Sequence, residues 1–301
     1  MNKSNPSSLV KSHLLLVLGV FACSLSVIFI KSSASHPYWL AGFRLLIAAA
    51  FLSPLVWREA KKDPAVLSGE IWLAAVPGAL LLALHFISWT TGARMTTAVN
   101  GSLLVNLTTV VMPIVMWMMN RERINAGEII GTLVALAGVT ALIGGQVSVS
   151  AENALGDVIC FVSMVLFCFY LAYARRNGAG QSLWLYLVPL YWIAGLICIA
   201  VALIAGAPLP PATAREAILL LCLGLVPTVI GHSIINWCIN KLRSQTVATL
   251  NLCQVLFAGI AAYLVFNEPP SPWFIPVCAV VVLGSIITIR SHHKSVVDAE
   301  S

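Results

Sequence analysis

Ten apolar stretches, each about long enough to cross a bilayer, alternate along this chain with short polar or Pro/Gly-marked breaks. The pattern predicts helices at 13–31, 37–57, 71–92, 96–119, 124–144, 155–174, 183–205, 216–239, 245–266 and 273–290. A hydrocarbon core takes about 20 residues of helix, which each stretch supplies within two or three. The breaks are chemically marked: Asp63-Pro64, Gly144-Gly145, Pro208-Leu209-Pro210-Pro211 and Pro269-Pro270. Proline and glycine end helices, the first by removing a donor and the second through backbone freedom.

The ten stretches fall into two sets of five, with a first unit at 1–152 and a second at 153–301 that together make one integrated membrane domain. Two features recur in each half. Glu122 is followed sixteen residues later by Gly138, as Glu268 is by Gly284; further upstream lie the pairs His85/Trp89 and His232/Trp237. Because five is odd, the second unit enters the bilayer from the opposite face. The predicted fold is therefore all-α and integral to the membrane, with ten transmembrane helices as two inverted five-helix repeats. In such an architecture solutes bind between the repeats near the midplane.

Composition supports the membrane assignment. Of 301 residues, 59% are hydrophobic and 9% charged, against about 25% charged in soluble domains. The net charge of +6 then reads as topology and not as affinity for nucleic acid. With the N-terminus inside, the inner face collects Lys3, Lys11, Arg58, Lys61, Lys62, Arg121, Arg123, Arg175, Arg176, Lys241, Arg243, Arg290 and Lys294. The outer face has only Lys31, Arg94 and Arg215. The positive-inside rule places both termini in the cytoplasm. The stretch after Lys3 and Lys11 is longer than a signal-peptide core of about 7–15 residues, so it reads as a retained first helix. The eight cysteines all fall in apolar stretches without a CxxC pair, as packing residues do.

Ionisable and amide groups at membrane depth are costly and mark function. Arg44 is the lysine or arginine lying well within a predicted helix, suited to a substrate carboxylate or to backbone carbonyls. His85 and Trp89 share one helix face, as do His232 and Asn236, with Trp237 adjacent. Aligning Trp89 with Trp237 sets Asn106 opposite Gln254. Ser102, Asn106, Thr109, Pro113 and Trp117 share a face, as do Asn251 and Gln254. Amides at equivalent positions fit a midplane site, or else interhelical hydrogen bonding. Tyr170 and Tyr186 read as interface markers or as weaker cavity candidates. The carboxylates near helices (Glu70, Glu128, Asp157, Glu216 and Glu268) lie close to helix ends, which disfavours proton coupling through a buried acid. One buried cation is too few for a phosphorylated substrate, and no P-loop is present.

At these residues the chain resembles the drug/metabolite transporter superfamily, in its ten-helix EamA-like branch. The resemblance lies in Pro37 to Arg44 and in Glu122-Arg123 followed by Gly127, Gly131 and Gly138-Val139. It continues in Asn267-Glu268-Pro269 with Gly284, and in Gly156-Asp157 through Tyr170 to Arg175-Arg176. Cys23 and Cys168 stand near places where that family often has Trp, so the pocket is expected to differ in shape. The resemblance implies a multi-pass carrier or exporter of small metabolites, often amino acids, in the cytoplasmic (inner) membrane.

Together these readings predict a secondary transporter of small neutral or zwitterionic metabolites working by alternating access. The expected substrate-binding residues are Arg44, His85, Trp89, Asn106, His232, Asn236, Trp237 and Gln254. No cofactor or metal is expected; the partners are a small-molecule substrate and the bilayer, in a monomer or a homodimer. The alternatives are a multidrug or cationic-amine carrier, disfavoured by the lack of a buried anion, a passive channel, and a membrane-embedded lipid-modifying enzyme. The enzyme would need clustered His and acidic residues at one interface, whereas these histidines are divided between the halves.

Overall fold

The computed structural model describes residues 6–62, 68–96, 101, 104–105, 107–143, 151–178, 182–266 and 274–300. Every element in them is a helix. In chain order these are α1 (Pro6–Ser24), α2 (Ser26–Ser32), α3 (Pro37–Ala60), α4 (Gly69–Met95), α5 (Thr108–Asn120), α6 (Ala126–Ile143), α7 (Ala151–Asn177) and α8 (Leu183–Ile204). They continue as α9 (Ala214–Leu223), a π-helical segment (Gly224–His232), α10 (Ser233–Ile239), α11 (Ser244–Asn251), α12 (Cys253–Phe266) and α13 (Phe274–Glu300). Eight stretches are long and apolar enough to cross a membrane; α5 and α6 are the shorter apolar helices that complete ten spans.

Span packing is that of two related halves in opposite orientation. Span 1 (α1–α2) packs on span 8 (α9–α10), and span 6 (α7) packs on span 3 (α4), which is the same contact with the halves exchanged. Span 2 (α3) packs on span 7 (α8), and span 5 (α6) on span 10 (α13), so each of these pairs joins equivalent helices. The α6–α13 seam relies on missing side chains. A Cβ on Gly131 would lie 2.6 Å from the carbonyl oxygen of Gly284, and one on Gly284 would lie 2.5 Å from that of Gly131. Only two bare backbones can approach this closely.

Four spans depart from the uniform helices expected of them. Span 1 breaks at Leu25, between α1 and α2. The stretch expected as one helix over 96–119 has its turn at Leu107, where α5 begins. Span 9 has the equivalent turn at Leu252, between α11 and α12. The turns match bond for bond: Leu107 N–H donates to the Leu104 carbonyl and Leu252 N–H to that of Thr249, both at 3.1 Å. Apolar periodicity cannot register such turns, because three-residue bonding leaves the hydrophobic pattern intact. Leu107 and Leu252 are 145 apart in sequence, whereas Trp89 and Trp237 are 148 apart, so no single offset relates the two halves.

The fourth departure is the π segment in span 8. Pro227 has no N–H and its ring crowds the carbonyl four residues back, so the bonding steps to a five-residue period. Thr228 donates its hydroxyl to the Leu223 carbonyl at 2.9 Å. Such segments are frequent at functional sites, and this one turns Thr228 and His232 into the core.

Helix ends also tie the halves together. Asn125 and Glu128 form a reciprocal cap on α6: Glu128 N–H donates to Asn125 Oδ1 at 2.8 Å, and Asn125 N–H to Glu128 Oε2 at 2.9 Å. That is the capping-box arrangement. Glu216, in the first turn of α9, accepts from Ser33 Oγ, from Ser35 Oγ at 2.5 Å and from the Ala34 and Ser35 N–H groups at 3.2 Å. It thereby fastens the α2–α3 loop of the first half to the second.

Candidate functional site: a cationic cavity between the repeats

The breaks at Leu25, Leu107 and Leu252 converge on a cavity of about 100 Å³. Its wall takes Cys23, Ser24 and Ser26 from span 1, Arg44 from α3, and His85, Phe86 and Trp89 from α4. The second half contributes Phe167, His232, Asn251 and Gln254. Interrupted helices are where membrane proteins place polar side chains and unpaired backbone against a solute.

Arg44 is 1% exposed and is among the largest fully buried side chains. Its Nε donates to Thr228 Oγ1 at 3.0 Å and its Nη1 to Ser26 Oγ at 3.3 Å. The guanidinium carbon lies 4.0 Å from the centroid of the Phe86 ring. Nη2 has no hydrogen-bond partner. Of the five N–H bonds of a guanidinium, Thr228 and Ser26 take one each, leaving three. Among the described residues no carboxylate lines the cavity, and Lys31 adds a second basic group at its edge.

The aromatic and imidazole rings form one cluster. Phe86 contacts both histidines, with centroids 4.9 Å from His85 and 5.1 Å from His232. Phe167 stacks on His85 at 4.8 Å and meets His232 edge-on at 5.8 Å. His85 is further held by Ser163, described below.

Of the expected site residues, five line one cavity: Arg44, His85, Trp89, His232 and Gln254. Gln254 Nε2 donates to Asn251 Oδ1, so both amides stand on the same wall. Asn236 and Trp237 are not on the cavity lining. Asn236 is fully buried, and its amide donates to the His232 carbonyl at 2.7 Å; Trp237 packs against the apolar core. One helical turn carries each past the cavity floor. Asn106 lies outside the described residues. Tyr170 and Tyr186, read as possible interface markers, are both buried. The sequence reasoning missed Ser26, Phe86, Phe167 and Thr228. Pro227 within a span was the available signal for Thr228; the others carried none, since serine and phenylalanine are ordinary in apolar helices.

At the end of the bundle away from Lys31, a second ionic cluster joins the halves. Glu122 and Glu128 come from the first half, Arg175 and Arg243 from the second. Arg175 Nε lies 3.0 Å from Glu122, and Arg243 reaches Glu128 at 2.7 Å and Glu122 at 3.7 Å. Ser244 N–H donates to Glu122 at 3.0 Å, and Gln245 donates to Thr132 Oγ1 at 2.6 Å. Hydrogen bonding to Glu128 raises the Arg243 guanidinium above its ordinary value, so this group stays charged. The Glu128 side chain is fully buried.

Two repeats of apolar helices enclose at their seam a mainly apolar cavity that holds a buried guanidinium and two imidazoles, the architecture of a multi-pass membrane transporter. The EamA-like transporter family model matches residues 10–144 and 154–290, and the chain belongs to that family. No curated protein matches it by sequence. A solved protein crystal structure shares the fold, with a TM-score of 0.78 at 15% identity over 92% of this chain and 96% of its own. Among the described residues no group of three His, Cys, Asp or Glu side chains is placed to hold a metal.

Proposed function

We propose that this transporter carries a small carboxylate-bearing metabolite, neutral or zwitterionic overall, with amino acids the first candidates. The observation that carries the reading is Arg44. A cation removed from water costs several kcal/mol after relaxation, and here, among the described residues, two hydroxyls and one ring face offset it without an anion. Three N–H donors remain for a carboxylate, enough for a bidentate contact. The same feature argues against a cationic-amine carrier, since an amine would enter a cavity already holding Arg44 and Lys31.

The lysine and arginine bias supports a cytoplasmic-membrane location with both termini inside. In that orientation the cavity edge at Lys31 and Ala93 faces outward, and the Glu122–Arg243 cluster seals the cytoplasmic side. The described conformation is then outward-facing, one of two states through which alternating access moves solute, with export as the proposed direction.

Counterflow in proteoliposomes tests the reading. Vesicles preloaded with L-valine should accumulate labelled L-valine, and isobutylamine should neither drive nor compete with this exchange. Isobutylamine exchanged as readily as valine would overturn the carboxylate assignment.

A further inference from the structure

The His85 ring, in the cluster beside Arg44, is held in a defined protonation pattern by a residue that is not on the cavity lining. His85 Nδ1 lies 3.0 Å from the Ser163 carbonyl oxygen and 2.9 Å from Ser163 Oγ. The same hydroxyl donates its single hydrogen to the His85 carbonyl at 2.9 Å. A carbonyl only accepts, and a hydroxyl that has given its hydrogen away can only accept, at its lone pairs. Both Ser163 atoms therefore require a hydrogen on Nδ1. In the neutral ring the other nitrogen, Nε2, then carries the lone pair. Stacking on Phe167 fixes the ring plane, and no described residue bonds Nε2, on a side chain that lines the cavity.

We infer that His85 Nε2 is a hydrogen-bond acceptor subsite selecting acids with an N–H or O–H donor on the carbon next to the carboxylate. Ser163 is its positioning residue. The inference rests on Arg44 holding the carboxylate. Both groups touch the Phe86 ring, whose centroid is 4.0 Å from the Arg44 guanidinium carbon and 4.9 Å from the His85 ring centroid. The guanidinium and imidazole are thus at most about 9 Å apart. A hydrogen bond of about 2.9 Å at each end leaves at most about 3 Å for the solute. That is the separation between a carboxylate oxygen and a substituent on the adjacent carbon, as in 2-amino and 2-hydroxy acids. An acid with only hydrocarbon at that carbon would leave Nε2 desolvated and unpaired, which is how polar sites reject analogues.

Isothermal titration of the purified full-length protein with L-valine, L-2-hydroxy-3-methylbutanoate and 3-methylbutanoate tests this. Wild type should bind L-valine about tenfold or more tighter than the third, the value of one hydrogen bond between a charged and a neutral group, and the hydroxy acid tighter by a smaller factor of about three to tenfold, the value of a neutral one. His85→Asn keeps a donor toward Ser163 but has nothing at the Nε2 position, so the three acids should bind it equally. His85→Gln restores a polar atom there and should recover part of the preference. ¹⁵N spectra of histidine-labelled protein, with His85 assigned by its loss in His85→Asn, should show a neutral ring protonated on Nδ1. In Ser163→Ala that signal should shift toward the mixed-tautomer position as one acceptor is lost. Equal binding of all three acids by wild type, abolished in Arg44→Gln, would overturn the His85 subsite while leaving the carboxylate reading standing. An imidazolium or Nε2–H spectrum would overturn it directly. Failure of every acid to bind wild type would remove the Arg44 reading and this inference with it.

Discussion

Replacing Arg44 with glutamine separates a binding role from a structural one. Glutamine keeps most of the volume and some hydrogen bonding toward Thr228 and Ser26 but removes the charge. A bidentate carboxylate would lose two charge-assisted hydrogen bonds, each worth about 1.5–3 kcal/mol. At the lower end of that range the pair is worth about 3 kcal/mol, or roughly 100-fold in affinity. Arg44→Lys keeps the charge and loses the fork, and should fall between, at roughly tenfold. Stability should move differently. Arg44→Gln gives up a cation–π contact with Phe86, worth about 2 kcal/mol when desolvated, but relieves a buried cation costing several kcal/mol. The variant should therefore melt no lower than wild type, the usual exchange between function and stability at a strained site. Titration with L-valine and thermal unfolding in detergent read both quantities on one preparation. Unchanged valine affinity, or wild-type binding with a melting point several degrees lower, would make Arg44 a structural residue and refute the reasoning.

Three further outcomes are expected. Arg243→Gln leaves the buried Glu128 carboxylate with the Asn125 N–H and no cation; breaking a buried pair costs about 3 kcal/mol or more, so thermal unfolding should shift down, with recovery in Arg243→Gln/Glu128→Gln. An unchanged melting point would show that the cluster does not hold the described conformation together. Gly131→Leu and Gly284→Leu each push a side chain into backbone of the opposing helix and should destabilise by more than the 1–3 kcal/mol typical of overpacking; wild-type stability in either would mean that α6 and α13 are not this close. Single cysteines at Lys61, Arg176 and Lys241 should resist impermeant thiol reagents in intact cells while one at Arg215 reacts, measured in a background where the native cysteines are replaced; the reverse pattern would invert the proposed orientation.

Much of the architecture was legible in the chain alone. Ten spans follow from apolar run length, because hydrocarbon thickness imposes a length that no soluble constraint would. The duplication follows from repeated Glu–Gly and His–Trp spacings, and its inversion from the odd number of spans per half. Arg44 stood out because a cation in an apolar run needs a reason. The tertiary structure decided what periodicity cannot carry. Turns at Leu25, Leu107 and Leu252 leave the hydrophobic pattern untouched while bordering the cavity. Asn236 and Trp237 share a span with His232, yet one turn of helix takes them off the cavity wall. Ser26, Phe86, Ser163 and Thr228 are commonplace in apolar helices; only their convergence from four spans makes a guanidinium tolerable in the interior and fixes a proton on His85. Run length and residue type are local and survive in one dimension, whereas the direction in which a lone pair or an N–H points is set by neighbours on other spans, 78 residues away for His85 and Ser163 and 184 for Arg44 and Thr228.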